Sequence, residues 1–176
     1  MKYGEIIIED IFEVYGSKTT PFNELGFKTE TAVEYPYVTT KSTNNGIDGF
    51  FNFFTEEGNV ITVDSATNGQ IHYQFINFSA SDHVEILKPK FKCNLYIGLF
   101  LKTAILVAIK GKYNYGYKCS QKRIKNQIII LPITDENNPD FEYMERYMKS
   151  KEKELIQKYQ DYINMKSLSG GGENID

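Results

Sequence analysis

NPDFEYMERYMKSKEKELIQKYQDYINMK, residues 138 to 166, decides how the rest of the chain is organised. Asn138-Pro139-Asp140 supplies an N-cap, a proline at the first helical position and an acid in the first turn. No glycine or proline follows between Phe141 and Lys166. Phe141, Met144, Met148, Leu155, Tyr162 and Met165 recur at heptad a and d spacing, with Lys151 and Lys158 interrupting the d column. Ile156, Tyr159 and Ile163 widen the stripe. Roughly 26 helical residues at a 1.5 Å rise give a rod about 39 Å long. That exceeds what a small domain needs. The stripe therefore either pairs with another helix, as in a homodimer through Met144, Met148, Leu155, Tyr159 and Tyr162, or folds back over the domain's own sheet.

Upstream of this rod, residues 1–137 carry short strand-like runs separated by turn residues, and residues 167–176 form a polar tail rich in Gly and Ser. Ile6 to Val14 opens the core as a strand or a turn of helix, and Tyr37 to Thr40 reads as a strand end. Phe50 to Phe54 and Val60 to Val63 flank Glu57-Gly58-Asn59 and suggest a hairpin. Asn68-Gly69 marks a second turn before Ile71-His72-Tyr73-Gln74-Phe75, which alternates apolar and polar residues with period two. Val84 to Leu87 is a further short strand. Residues 94–109 have the length and apolar density of a buried helix, too short and too interrupted by Lys102 and Thr103 to span a bilayer. Ile128 to Ile133 is a β-branched strand that Pro132 confines to an edge. The pattern predicts an α+β fold: a small mixed or antiparallel sheet domain with a buried helix, followed by a long C-terminal helix.

Charge is distributed unevenly along the 176 residues. The net charge is −3, yet residues 1–85 hold 4 Lys/Arg against 13 Asp/Glu, while residues 86–134 hold 10 Lys/Arg and no carboxylate. A 49-residue stretch without one acid marks a local positive field, the requirement for phosphate contact. The alternative is that these cations pair with the acidic N-terminal half across the fold. Cys93 and Cys119 lack framework or metal spacing and read as free thiols of a reducing cytosol. The N-terminus MKYGEIIIEDIFE lacks the apolar core of a signal peptide.

Catalytic signatures are absent. There is no phosphate loop ending in Gly-Lys-Ser/Thr, no dinucleotide fingerprint, no His-Glu-x-x-His and no Asn-Pro-Pro-aromatic motif. His72 falls on the polar face of an alternating strand, where a surface or hydrogen-bonded role outweighs that of a base. Ser81-Asp82-His83 are neighbours in sequence, whereas triads assemble from distant positions. No catalytic residue, metal ligand or cofactor of its own is expected.

Two segments carry the chemistry of polyanion contact. Thr39 to Gly46 combines Lys41 and the Thr43 hydroxyl with the amides of Asn44 and Asn45, which can pair bidentately with adenine. Lys110 to Lys125 interleaves cations, tyrosines and glycines, with Lys112, Tyr115, Lys118, Gln121, Lys122, Arg123 and Lys125 as candidate DNA contacts. Each segment also reads as a solvated loop or helix face.

These residues resemble a known family. Tyr113-x-Tyr115-Gly116-x-Lys118-x-Ser120-Gln121-x-Arg123-Ile124, followed by a strand ending Leu131-Pro132, is similar to the close of a target-recognition domain in Type I restriction–modification specificity subunits and in BcgI-like enzymes. Asn138 to Met148 resembles the start of that family's spacer helix. Ile11 to Val14, Val38-Thr39, Asn44 to Gly49, Ile61 to Val63 and Ser81 to Val84 match in order, so the resemblance covers about residues 5–166. It implies a cytoplasmic, non-catalytic subunit that reads double-stranded DNA and docks DNA methyltransferase subunits, which use S-adenosylmethionine. A restriction subunit is an optional further member of such a complex. With one domain and one helix, the chain reads as a half-subunit, natural or a fragment, that rebuilds the two-domain arrangement by dimerising. The competing expectations are an oligomeric protein-interaction scaffold, separated by salt-dependent binding to duplex DNA, and a small enzyme with a site no motif reveals.

Overall fold

A computed structural model describes residues 1–21 and 33–169. The apolar run upstream of Lys110 forms helix α2, Leu95–Ile109, with Asn94 as N-cap accepting a hydrogen bond from the Ile97 amide at 3.1 Å. Ile97, Leu101, Ile105 and Ile109 are buried along one side. They face a four-stranded sheet ordered β2 (Phe12–Gly16), β8 (Val84–Pro89), β5 (Val60–Asp64) and β6 (Ile71–Gln74), every neighbouring pair antiparallel. Gly98 permits the close approach: a Cβ there would lie 2.2 Å from a ring carbon of Tyr73.

The opposite face of this sheet is covered as well. A three-stranded sheet of β4 (Ile47–Phe51), β3 (Tyr35–Val38) and β7 (Ser79–Ala80) encloses a second cluster with Val60, Val84 and Ile86. Strand β5 alternates accordingly, Ile61 and Val63 toward α2 and Val60 toward the second cluster. The polar alternates of β6 therefore do not face water. His72 is 8% exposed and Gln74 3% exposed, and both are hydrogen-bonded: His72 Nε2 to the Lys41 carbonyl at 3.1 Å, Gln74 Nε2 to Thr62 Oγ1 at 3.2 Å.

Pairing also departs from the expected hairpin between Phe50–Phe54 and Val60–Val63. Strand β4 pairs with β3, Phe51 opposite Tyr35, whereas β5 pairs with β6 and β8. The turn at Gly58 packs against the backbone of Phe75 and Ile76, where a Cβ would come within 2.5 Å, so the chain crosses between sheets there. The second expected turn, at Asn68-Gly69, does join β5 to β6. The opening segment divides into β1 (Lys2–Ile7), a single helical turn α1 (Ile8–Ile11) and β2. Strand β1 pairs antiparallel with β9 (Ile128–Ile133), placing Pro132 opposite Tyr3 in a two-stranded sheet.

Helix α4 runs from Phe141 to Ser169, 29 residues and about 43 Å. Its cap is Asp140, whose Oδ1 accepts the Tyr143 amide at 2.8 Å, two residues later than the expected Asn138. The helix continues through the first three residues of the expected polar tail, and 170–176 lie outside the described residues. Its first half packs on the domain. Phe141 stacks on Phe91 at 3.8 Å, Tyr147 meets Phe100 edge-on, and Glu152 accepts from the Tyr96 hydroxyl at 2.8 Å. Met144, expected at a helix–helix seam, is fully buried in the domain's own core. These contacts fall on the N-terminal half of α2 and the residues just before it. From Lys151 to residue 167 every side chain is exposed.

Candidate nucleic-acid interface

At the opposite, Ile109 end of α2 the loops of the domain converge. Gly111 turns the chain with φ +73°, and the Lys112 amide bonds the Ile109 carbonyl. Asn114 Oδ1 then accepts the amides of Gly116 and Tyr117 at 2.9 and 3.0 Å, closing a tight turn with Tyr115 at its tip, 82% exposed. Tyr113 and Tyr117 stack 5.9 Å apart, and the Arg123 guanidinium lies 3.8 Å from the Tyr117 ring centre. Arg123 also donates to the Lys118 carbonyl at 2.6 Å. It is tied to the loop from two sides. Cys119 is buried beneath, its thiol pushed up to about 12 by desolvation and the nearby acids Asp64 and Glu85, which keeps it protonated and unreactive.

The short helix α3, Gln121–Lys125, follows, with Gln121 Nε2 donating to Glu85 at 3.0 Å. Lys118 reaches over the Tyr115 ring at 5.6 Å, and Lys112 bonds the Gln127 side chain at 3.3 Å. Among the described residues, only Lys88 of the carboxylate-free stretch closes an ion pair, with Glu57. No described carboxylate pairs with Lys110, Lys112, Lys118, Lys122 or Lys125, so among the described residues cross-fold ion pairing does not neutralise them.

The Thr39–Gly46 segment lies along the free edge of β6. Asn44, Asn45 and Gly46 all have positive φ, at 50°, 55° and 77°. A side chain at Gly46 would be strained by its φ of +77° and would crowd His72 Cδ2 at 3.0 Å. Asn45 Nδ2 donates to the Tyr73 carbonyl at 2.9 Å and to Gln74 Oε1 at 3.3 Å, so its nitrogen closes the sheet edge. Lys41 pairs with Asp48 at 2.8 Å. Asn44 and Thr43 stay exposed beside them.

Two further loops stand at the Ile109 end of α2; in the sequence Asn68-Gly69 reads as a turn, and Ser81 to Val84 as a family match and no triad. Ser65 bonds the His83 carbonyl through its amide and hydroxyl, at 2.9 and 3.0 Å, which joins the β5–β6 loop to the Ser81–His83 loop. Gly69 (φ +78°) sits against Cys119 and Ile109, where a Cβ would be 3.0 Å from each side chain. Ser81 Oγ donates to the Asp82 carbonyl at 3.1 Å, and His83 Nε2 lies 3.5 Å from Asp82, both exposed: no nucleophile is poised. No cluster of three or more metal-type ligands occurs among the described residues. None of the described helices is long and apolar enough to cross a membrane.

The loops meeting at the Ile109 end of α2 are polar and, among the described residues, lie beside cations that close no ion pair. The family of the Type I restriction modification DNA specificity domain matches residues 2–161, and the chain belongs to it. It is 38% identical over 127 residues to the specificity subunit S.BcgI of a Type II restriction enzyme from Heyndrickxia coagulans, a match covering 69% of this chain and 36% of that protein. The fold is similar to the S subunit of a Type I restriction–modification system from M. genitalium, with TM-score 0.58 and 16% identity over 94% of this chain and 43% of that one. The HsdS subunit from Thermoanaerobacter tengcongensis shares the fold at TM-score 0.58 and 9% identity, over 88% of this chain and 38% of that one. The chain thus spans less than half the length of these relatives.

Proposed function

We propose that this chain is a non-catalytic, sequence-reading module of a restriction–modification complex, with duplex DNA seated on the loop end. One observation supports the reading: in a 49-residue stretch without a carboxylate, Lys110, Lys112, Lys118, Lys122 and Lys125 close no ion pair among the described residues. Lys118 and Lys122 contact phosphates, Tyr115 reaches the groove, and Arg123 holds the loop that presents it. Methylation belongs to a partner methyltransferase that carries S-adenosylmethionine. Binding to labelled duplex DNA between about 50 and 200 mM salt tests this. Affinity falling linearly with salt on a log–log plot is expected, and binding that ignores salt contradicts it.

Helix α4 supplies the assembly. The face that covers α2 through Met144 and Met148 continues into Leu155, Tyr159 and Tyr162, which are 66%, 64% and 48% exposed. Lys151 and Lys158, at seam positions, both bond Glu154 at 2.8 Å, and together they hold its carboxyl down to about 2. This draws their charges to one side and leaves the apolar stripe open. A second copy in antiparallel register would cover it, at about 25 cal/mol per Å² of apolar surface. Two loop ends would then sit more than one DNA turn apart, as a split target requires.

A further inference from the structure

We propose that the Ser65–Gln70 loop is a base-reading element, its Asn68 and Gln70 amides facing an adenine in the major groove. This rests on the reading of the loop end as the DNA-contacting surface. The loop is held by its own hydrogen bonds. Asp64 Oδ1 accepts the amides of Ala66 and Thr67 at 2.8 and 3.2 Å, and the Asp64 carboxylate also accepts the Thr67 hydroxyl. Ser65 is fastened to His83, and Gly69 is wedged on Cys119 and Ile109. The tip is therefore fixed to the base of the cationic Lys110–Lys125 segment. A duplex whose phosphates met Lys118 or Lys122 would bring its groove toward it.

The chemistry of the tip is directional. Gln70 Nε2 donates to Asn68 Oδ1 at 3.1 Å. That bond orients both amides, leaving the Asn68 N–H donors and the Gln70 carbonyl acceptor without protein partners among the described residues. Adenine presents an acceptor, N7, beside a donor, the N6 amino group. The pair therefore offers the complement of an adenine edge, whereas guanine, with acceptors at both N7 and O6, would confront the Gln70 oxygen. Three other amides already spend one group within the protein: Asn45 Nδ2 on β6, Gln121 Nε2 on Glu85 and Asn114 Oδ1 on its own turn. Pre-ordering spares the entropy that a floppy loop would lose on binding.

Selection of bound sequences from a random duplex pool tests this, run with the wild-type chain, Asn68→Ala, Gln70→Ala and the near-isosteric Asn68→Asp. The inference expects all three variants to lose about 10-fold discrimination at one shared A·T position, while affinity for unselected DNA stays within about 2-fold for the two alanine variants. Asn68→Asp keeps the side chain's shape but removes its donors, so its loss at the same position excludes simple misfolding. Variants that enrich the wild-type motif unchanged would overturn the inference and leave DNA binding intact. Loss confined to a G·C position would overturn the adenine assignment. A wild-type chain that enriches nothing would instead remove the reading on which the inference stands.

Discussion

The Arg123 guanidinium lies 3.8 Å from the centre of the Tyr117 ring and donates to the Lys118 carbonyl at 2.6 Å. A cation placed for free phosphate contact would not be so tied. Its first task is to hold Tyr117 against Tyr113, and with them the turn that carries Tyr115. Arg123→Ala should speed hydrogen exchange at the Gly116 and Tyr117 amides and weaken DNA binding by about 10-fold, since a stacked, partly desolvated cation contributes about 1–2 kcal/mol. Arg123→Lys should not restore either property, because an ammonium cannot lie flat on the ring. Unchanged amide protection in Arg123→Ala would assign the residue to phosphate contact alone.

Lys118 and Lys122 differ from Lys41 in having no carboxylate partner among the described residues. Lys118→Ala and Lys122→Ala should each reduce the slope of log affinity against log salt by about 0.9. Lys41, paired with Asp48 at 2.8 Å, should change the slope little when replaced by alanine. Equal effects at all three positions would mean that the ion pair opens on DNA.

Acid should loosen the Thr39–Gly46 segment through His72. Burial holds its imidazole below the ordinary value of 6.5, with the Lys41 carbonyl pulling the other way. A histidine kept neutral by the fold contributes its full stability above about pH 6.5, and the contribution drains away as pH falls toward the depressed folded value. Urea midpoints measured at several pH values should therefore fall below about pH 6.5 more steeply in the wild type than in His72→Gln. Parallel curves would show that another group dominates.

How much of this was legible in the sequence depends on whether a signal was local. Helix α2, strand β9 and helix α4 were readable because apolar runs and heptad spacing are properties of a single segment. The partner of β4 was not: the choice between β3 and β5 is made by cores that form across the whole chain. His72 and Gln74 mimicked a solvent face because period two reports two faces without saying what covers each. Met144 looked like seam, since heptad spacing does not reveal where α2 stops covering the helix. Composition singles out the two cationic and amide segments proposed to meet DNA. It is silent on Ser65–Gln70, which only the contact of Gly69 with Cys119 joins to the Lys110–Lys125 segment.

Leu155 is 66% exposed on the projecting half of α4, in line with Tyr159 and Tyr162. Sedimentation at micromolar concentration should show a dimer for the wild type and a monomer for Leu155→Asp. A monomer in both would leave the stripe to a different partner.

Sequence enrichment from a random duplex pool by the wild-type chain is the most direct measurement of the central claim. A reading module should enrich one short, defined motif, with binding that weakens steeply as salt rises. Retention of all sequences alike, or of none, would contradict the account.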